Sequence, residues 1–459
     1  MTGMDGCASC RSLQSQLQTL QAENERLRAQ LSNATAPVVR NQPEPEIVNE
    51  TRGTETFSAL SRREMQRYGR QMLVPDFRIA RQLRLRDARV LVLGAGGLGC
   101  PVALYLASMG VGHLGLVDND RVERSNLHRQ IGHDETTIGQ FKVHSLADRL
   151  ERLNPDITID RHVTRLTHMN AKELVEAYDV VVDGTDNPTT RYLVNDVCAR
   201  LRKLLVSGSA LGLEGQVTVF TYGDDEACYR CLYPQPPQNP QSCEENGVLG
   251  VTTGIIGCVL ALEVVRVLTG LGKSMVGTQL LFDAYDSQFR RLKIATKRRN
   301  DCIGCQSDPS SPLTAIKDAG CDCEVESVVE LDTKHQLDVH EFAKLRENAA
   351  KRSYTLLDTR SSHQFEMTHF PEAINVPFEA LAGLKKKQTL AGFIRNKLQE
   401  AAEAHGESTS DNQLLVICRR GVDSVTVTQW LLEAGISSVY NIQGGYTRYA
   451  AIEPRFPMY

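Results

Sequence analysis

The sequence predicts an α/β protein of two units: a larger one built on a mostly parallel sheet, and a smaller one after it. Three observations carry this. From Arg89 onward, short apolar or β-branched runs alternate with helical segments of ordinary length, as in βαβ units whose sheet is covered on both faces. A glycine-rich turn, Gly94-Ala-Gly96-Gly97-Leu-Gly99, follows the first of those runs. After a polar stretch, a second strand–loop–helix pattern is centred on Cys418. A length of 459 residues suits two or three domains.

Leu13, Leu17, Leu20, Leu27 and Leu31 keep one helical face, with Asn24 in the missing place. This makes a short N-terminal coiled-coil helix, or a solvated and half-formed one, since fewer than three heptads are marginal. Residues 33–56 read as a linker, so 1–56 form an N-terminal segment. Ser61-Arg-Arg-Glu64 is a capping box with Leu60 and Met65 placed as a hydrophobic staple, and its helix runs through Arg70. The strands expected next are Val90–Leu93, Leu114–Val117, Ile157–His162, Val180–Asp183 and Leu204–Ser207. Further strands, Gln216–Tyr222 and within Leu280–Ile294, surround a long helix, Thr252–Leu268. The larger unit thus spans 57–305. Residues 306–335, rich in Asp, Ser, Cys and Pro, are a second linker. The smaller unit, 336–459, contains strands Tyr354–Asp358 and Leu414–Ile417, the latter running straight into Cys418.

Apolar residues make up 41% and charged residues 24%, a globular composition, and the net charge of -4 argues against a general nucleic-acid binder. The N-terminal stretch has no apolar run suited to a signal peptide. The most apolar segment, Ile255–Leu268, is interrupted by Glu263 and Arg266 and is expected to be too short and polar to span a bilayer. The expectation is therefore a cytosolic protein without membrane contact. Its 13 cysteines would be reduced, and CxxC pairs would be metal ligands or chemistry rather than disulfides.

The glycine turn opens a helix, whose N-terminal N–H groups suit a phosphate. Asp118 ends the next strand, 21 residues after Gly97, and suits a ribose hydroxyl. Alone this is a dinucleotide fingerprint, and a nicotinamide oxidoreductase is the alternative it leaves open. The neighbours point elsewhere: Ser125-Asn126-Leu127-His128-Arg129-Gln130, then Lys142, then Thr185-Asp186-Asn187 at a strand end. Cleaving a triphosphate between its α and β groups develops charge that Arg, Lys and a carboxylate-held Mg²⁺ would neutralise.

Together with Arg67-Tyr-Gly-Arg70-Gln, these motifs resemble the MoeB/ThiF adenylation domains related to ubiquitin-activating enzymes, with a Rossmann-like sheet, over about residues 57–305. The resemblance implies that Gly97 and Asp118 line adenosine and ribose. It implies that the Ser125–Arg129 segment, chiefly Asn126 and Arg129, holds phosphates with Lys142. Asp186, beside Asn187, would hold Mg²⁺. Arg70 would be an arginine finger reaching the second subunit of a homodimer.

Cys228-Tyr-Arg-Cys231 and Cys302-Ile-Gly-Cys305 each suit two corners of a tetrahedral thiolate site, which favours one structural Zn²⁺ per chain. The rival is a thioredoxin-like redox pair, but neither pair sits at a strand-to-helix junction. Cys243 follows a proline-rich stretch. By position it resembles the family cysteine that forms a thioester or acyl-disulfide; the plain alternative is an incidental loop thiol.

In Cys418-Arg-Arg-Gly-Val-Asp-Ser424, loop amides and a helix N-terminus can stabilise a thiolate or a persulfide anion, with Arg419 and Arg420 adding positive field. Leu356-Leu-Asp358-Thr-Arg360, His369–Pro377, the Cys418 loop and Gly444-Gly445-Tyr446 resemble a rhodanese domain over about 336–459. Tyr446 and Tyr449 depart mildly from the aromatic pattern often seen there. A phosphatase loop usually ends in arginine; here Asp423 and Ser424 stand at the sixth and seventh positions, which argues for sulfur.

The two units in this order resemble the eukaryotic adenylyltransferase/sulfurtransferase family of molybdenum-cofactor synthesis and tRNA thiolation. What that implies is ATP-dependent adenylation of the C-terminal glycine of a ubiquitin-like sulfur carrier ending in Gly-Gly. Sulfur transfer from a Cys418 persulfide, charged by a cysteine desulfurase, would follow. The remaining alternative is a conjugating-type activator working through a Cys243 thioester, with the second unit as a docking module.

Overall fold

The computed structural model describes residues 58–221, 226–235, 247–305, 331–347, 354–405 (backbone alone for 401–405) and 413–457. The leucine heptad, the first linker and Cys243 lie outside the described residues. The chain divides into two compact units, residues 1–313 and 314–459.

In the first unit the order is α1 (Arg62–Met72), α2 (Arg78–Asp87), β1 (Arg89–Leu93), α3 (Gly99–Met109), β2 (His113–Val117), α4 (Lys142–Leu153), β3 (Thr158–His162), α5 (Ala171–Glu176), β4 (Val180–Asp183) and α6 (Pro188–Leu201). There follow β5 (Leu204–Leu211), β6 (Glu214–Phe220), α7 (Tyr229–Leu232), α8 (Gly250–Thr269), β7 (Thr278–Asp283) and β8 (Gln288–Lys293). The sheet runs 3-2-1-4-5-6-7-8. Strands 3, 2, 1, 4 and 5 are parallel, as the alternation predicts, and 5 through 8 form an antiparallel extension.

The capping box forms: Glu64 N donates to Ser61 Oγ at 3.2 Å and Ser61 N to Glu64 Oε2 at 2.8 Å. The staple is loose, with Leu60 buried but Met65 42% exposed. Strand β1 is buried on both faces. Val90 and Val92 join one core cluster with α3, α4 and α8, and Leu91 and Leu93 join another that includes α6 and the cysteine pairs. Each of these buried aliphatic side chains contributes about 1.5–3 kcal/mol.

Helix α8 has 20 residues, longer than the expected run, and is apolar enough to cross a bilayer by length and composition. This corrects the expectation that the segment is too short and polar. The two charges that interrupt the run neutralise each other, Glu263 accepting from Arg266 Nη1 at 2.5 Å and from Met275 N at 2.8 Å. The fold uses the helix in its core, with Ile256, Leu260 and Val264 fully buried in the cluster shared with α3 and β5.

In the second unit the order is β9 (Gln336–Leu337), α9 (Val339–Glu347), β10 (Tyr354–Asp358), α10 (Ser362–Met367), β11 (Ala373–Asn375), α11 (Phe378–Lys386), α12 (Leu390–His405), β12 (Gln413–Ile417), α13 (Asp423–Glu433), β13 (Val439–Ile442) and α14 (Gly445–Ile452). The sheet is parallel throughout, in the order 11-10-12-13-9. The residues 331–335, expected to be linker, already pack here: Leu331 is buried, and His335 Nδ1 lies 2.9 Å from the Val439 carbonyl.

Candidate functional site

Strand β1 lies between β2 and β4, so the direction of strand addition reverses there and opens a crevice at the carboxyl ends of the strands. Three predicted segments meet at that edge: the glycine turn after β1, Asp118 after β2, and Thr185–Asn187 after β4. Gly94 takes φ +87°, and a Cβ on Gly99 would lie 1.8 Å from the Gly94 carbonyl oxygen, so the turn closes only with glycine at both ends. A Cβ on Gly97 would meet Thr253 Oγ1 at 3.1 Å, which places α8 directly against the turn.

Asp118 braces the turn, its Oδ2 accepting from Ala95 N and its Oδ1 from Asp120 N, both at 2.8 Å. Burial pushes its pKa up, against the pull of Lys142 and of those two amides. Lys142 opens α4 and is buried, with Nζ 2.9 Å from Asp120 Oδ2. Burial favours its neutral amine, but Asp118, Asp120 and Asp186 outweigh burial and raise its pKa. The Asp120 pairing, which the sequence reading missed, holds the ammonium where an anion can compete for it.

The Ser125–Arg129 segment is a run of tight turns. Arg129 Nη2 donates to Asn126 Oδ1 at 2.8 Å, His128 Nδ1 lies 3.0 Å from the Ser125 carbonyl, and Ser125 Oγ donates to Glu123 Oε2 at 3.3 Å. Leu127 caps its first turn, donating its N–H to the Arg124 carbonyl. Gly250, at the start of α8, packs so closely that a Cβ would lie 2.2 Å from the His128 carbonyl.

Asp186 is exposed at the end of β4, and Asn187 caps α6 by accepting from Thr189 N at 2.9 Å. Beneath them is a buried brace that the sequence reading did not find. Asp183 accepts from Arg191 Nε at 2.9 Å and Ser207 Oγ at 3.0 Å, and from Thr185 Oγ1 at 2.6 Å. A second unforeseen support is His133. It is buried, with Nε2 2.9 Å from the Ala95 carbonyl and Nδ1 2.8 Å from Ser145 Oγ, and burial lowers its pKa. Only chain folding brings it under the glycine turn. Arg70 is exposed in the last turn of α1, next to the exposed Leu73 and Val74.

The two CxxC pairs come together. Cys228 Sγ lies 3.6 Å from Cys302 Sγ and 3.9 Å from Cys231 Sγ, and Cys231 Sγ lies 3.6 Å from Cys305 Sγ. All four sulfurs fall within 4.8 Å of one another. Four thiolates around a tetrahedral ion with metal–sulfur bonds of about 2.3 Å are about 3.8 Å apart, so this set could hold a metal ion. The pairs are held from α6: Asn195 Nδ2 donates to Cys228 Sγ at 3.6 Å, and Asp196 takes Arg230 through two bonds of 2.7 Å.

In the second unit Cys418 follows β12, beside the strand reversal between β10 and β12, and is 1% exposed. Its Sγ accepts from Gly421 N at 3.1 Å, and Ser424 Oγ lies 3.3 Å away. The carbonyls of Cys418 and Arg419 accept from Tyr446 N and Thr447 N at the start of α14. A Cβ on Gly445 would lie 2.1 Å from the Cys418 carbonyl oxygen. Arg360, held by the buried Asp358, lies 3.7 Å over the Tyr446 ring. Tyr446 and Tyr449 are buried in one cluster with Phe342 and Phe370, so the mild departure in aromatic pattern leaves a filled core.

Residues 68–305 match the ThiF family model and residues 339–452 the rhodanese-like domain model. An adenylyltransferase and sulfurtransferase MOCS3 from Culex quinquefasciatus is 40% identical over 88% of this chain and 91% of its own. An adenylyltransferase and sulfurtransferase uba4 from Emericella nidulans is 37% identical over 98% of each. A crystal structure of E. coli MccB with ATP is 20% identical and covers 52% of this chain and 73% of its own, with a TM-score of 0.46.

Proposed function

The chain belongs to the ThiF family and, with its rhodanese-like second unit, is an adenylyltransferase and sulfurtransferase; we propose that it activates the C-terminal glycine of a Gly-Gly-ending ubiquitin-like carrier and replaces the carboxylate oxygen with sulfur. The observation that carries this is Cys418, a nucleophile capped by the Gly421 amide, on the same chain as a glycine turn flanked by Lys142 and Asp186.

The carrier carboxylate attacks the α-phosphate of ATP, and pyrophosphate leaves. Gly97 and Asp118 receive adenosine and ribose, and Asn126, Arg129 and Lys142 take up phosphate charge, with Ser125, Leu127 and His128 shaping their turn. Asp186, exposed beside Asn187, fits a Mg²⁺, which supplies charge neutralisation at the triphosphate. The four-cysteine set fits a structural Zn²⁺ with no open position for water. Arg70 adds a further positive charge from a second copy of the chain. The exposed apolar residues Leu73 (80%), Val251 (66%), Tyr105 and Leu262 give that copy a surface to cover.

A cysteine desulfurase supplies a sulfur atom to Cys418 as a persulfide. The outer sulfur attacks the acyl carbon and AMP leaves. The Cys243 thiolate attacks the Cys418 sulfur of the resulting acyl disulfide, releasing the thiocarboxylate and leaving a Cys243–Cys418 disulfide. The carrier then serves molybdopterin synthesis, tRNA wobble-uridine thiolation, or both, in the cytosol.

Intact-mass measurement of a carrier incubated with enzyme, ATP, Mg²⁺ and a persulfide donor tests this. Exchange of one oxygen for sulfur is expected, and none with Cys418→Ala. Thiocarboxylate formed at the normal rate by that variant defeats the sulfur relay. Asp186→Ala is expected to abolish pyrophosphate exchange into ATP while the protein stays folded.

A further inference from the structure

Behind Cys418 runs a buried chain of polar groups that its role in sulfur transfer does not by itself explain. Ser424 Oγ, 3.3 Å from Cys418 Sγ, is also 2.6 Å from Asn441 Oδ1. Asn441 Nδ2 in turn donates to Gln336 Oε1 at 2.7 Å. Ser424 is 0% and Asn441 1% exposed, while Gln336 is half-buried at the outer strand of the sheet. The parallel register sets Asn441 of β13 beside Gln336 of β9, so the outer link is built into the fold.

A hydroxyl has one proton and cannot donate to both neighbours. With Asn441 Oδ1 facing it at the shorter distance, Ser424 donates to Asn441 and turns a lone pair toward the sulfur. That suits a thiol, whose S–H then has an acceptor. A thiolate, or the inner sulfur of a persulfide, has no proton and needs a donor instead. Asn441 and Gln336 both carry carboxamides, which present a donor or an acceptor on turning over. If both turn, Asn441 Nδ2 donates to Ser424 Oγ, and the serine proton is released to the sulfur. The half-buried Gln336 gives the chain an end where this reversal meets water.

We propose that Ser424, Asn441 and Gln336 form a reversible hydrogen-bond chain that matches Ser424 to the protonation state of the Cys418 sulfur, accepting from the thiol and donating to the thiolate and the persulfide. Ser424 and Asn441 are then positioning residues. The inference rests on Cys418 as the sulfur carrier, but it concerns ionisation of the sulfur, which is measured without any transfer. The charged and titratable groups around the loop are Arg419, Arg420 and Asp423 on the loop and its helix, the Asp358–Arg360 pair at the end of β10, His335 before β9, and Arg448 on α14 with Asp338. All of these stay unchanged in the experiment.

The experiment follows iodoacetamide alkylation of Cys418 in the full chain against pH, read by peptide mass spectrometry. Ser424→Ala removes a hydrogen bond to the anion and is expected to raise the midpoint by about one unit, about tenfold less thiolate at a given pH below it. Gln336→Glu ends the chain in a pure acceptor, fixes Asn441 Oδ1 toward Ser424 and is expected to slow alkylation about threefold. In the Ser424→Ala background the same change is expected to do nothing further. An equal effect of Gln336→Glu in both backgrounds would mean a through-space charge effect and would overturn the proposal, as would an unmoved midpoint in Ser424→Ala. Should Ser424→Ala not fold, Gln336→Lys carries the test. A donor-only end lowers the midpoint, and the shift survives added salt; a shift that vanishes in salt overturns the proposal. Absence of sulfur transfer from the unaltered enzyme, with the midpoint shifts as expected, would count against Cys418 as carrier and leave the chain standing.

Discussion

Arg191 Nε donates to Asp183 Oδ2 at 2.9 Å in the interior just behind the Thr185–Asn187 turn, with side chains 10% and 0% exposed. Arg191 Nη2 also reaches the carbonyls of Thr185 and Gly208, so one guanidinium ties the turn to both β4 and β5. Burial opposes its charge, but Asp183 outweighs this and holds its pKa above the usual arginine value.

Arg191→Met leaves Asp183 buried without its cation. The expected loss is about 3–5 kcal/mol of unfolding free energy, the cost of breaking a buried pair from one side. Urea denaturation followed by circular dichroism measures it. A change under about 1 kcal/mol would mean that Ser207 and Thr185 suffice to hold the carboxylate.

Cys302→Ser removes one corner of the thiolate set. The expectation is one zinc per chain in the unaltered protein by elemental analysis, less than that in the variant, and a fall in melting temperature on chelation for the unaltered protein alone. Loss of the ion loosens the packing of Cys228, Cys231 and Cys302 with β4, β5 and α6, whose residues they meet in one core. A fully active, zinc-free protein contradicts the structural role.

His133 makes stability depend on pH in a fixed direction. Burial, the largest influence, lowers its pKa below the ordinary 6.5, against the raising effect of its contact with the Ala95 carbonyl. The unfolded chain therefore takes up this proton first. The contribution is intact above pH 6.5, declines as pH falls from there toward the folded-state pKa, and levels off below it. His133→Gln is expected to flatten the melting temperature over that interval, read by calorimetry at a series of pH values. An equally steep fall in the variant would assign the slope to other groups.

Leu262→Glu tests the apolar surface on α8. With Val251 and Cys258 it lies on the exposed side of the helix, and the Cys258 thiol meets Tyr105 of α3. Sedimentation equilibrium is expected to give twice the chain mass for the unaltered protein and the single-chain mass for the variant, with pyrophosphate exchange falling at least tenfold as the Arg70 contribution is lost. A monomeric, fully active unaltered protein rules out the shared site.

The sequence by itself determined the parallel strand–helix alternation, the glycine turn and the cysteine pairs, because each is written in spacing along the chain. Gly94 and Gly99 belong to one turn and need no partner from afar to be recognised. The same holds for the Ser61–Glu64 capping box. Tertiary structure alone decided which groups stand behind those motifs. Asp120 against Lys142, Arg191 against Asp183, His133 beneath Ala95 and Asn441 behind Ser424 are joined across turns, strands and helices. Such pairs follow from sheet order and burial, which force each enclosed polar atom to find a partner wherever the fold has placed one. The burial of Glu263 inside the core belongs with them: it is paired with Arg266 one turn along the same helix, but its second oxygen is satisfied by the Met275 amide, which only the fold brings there.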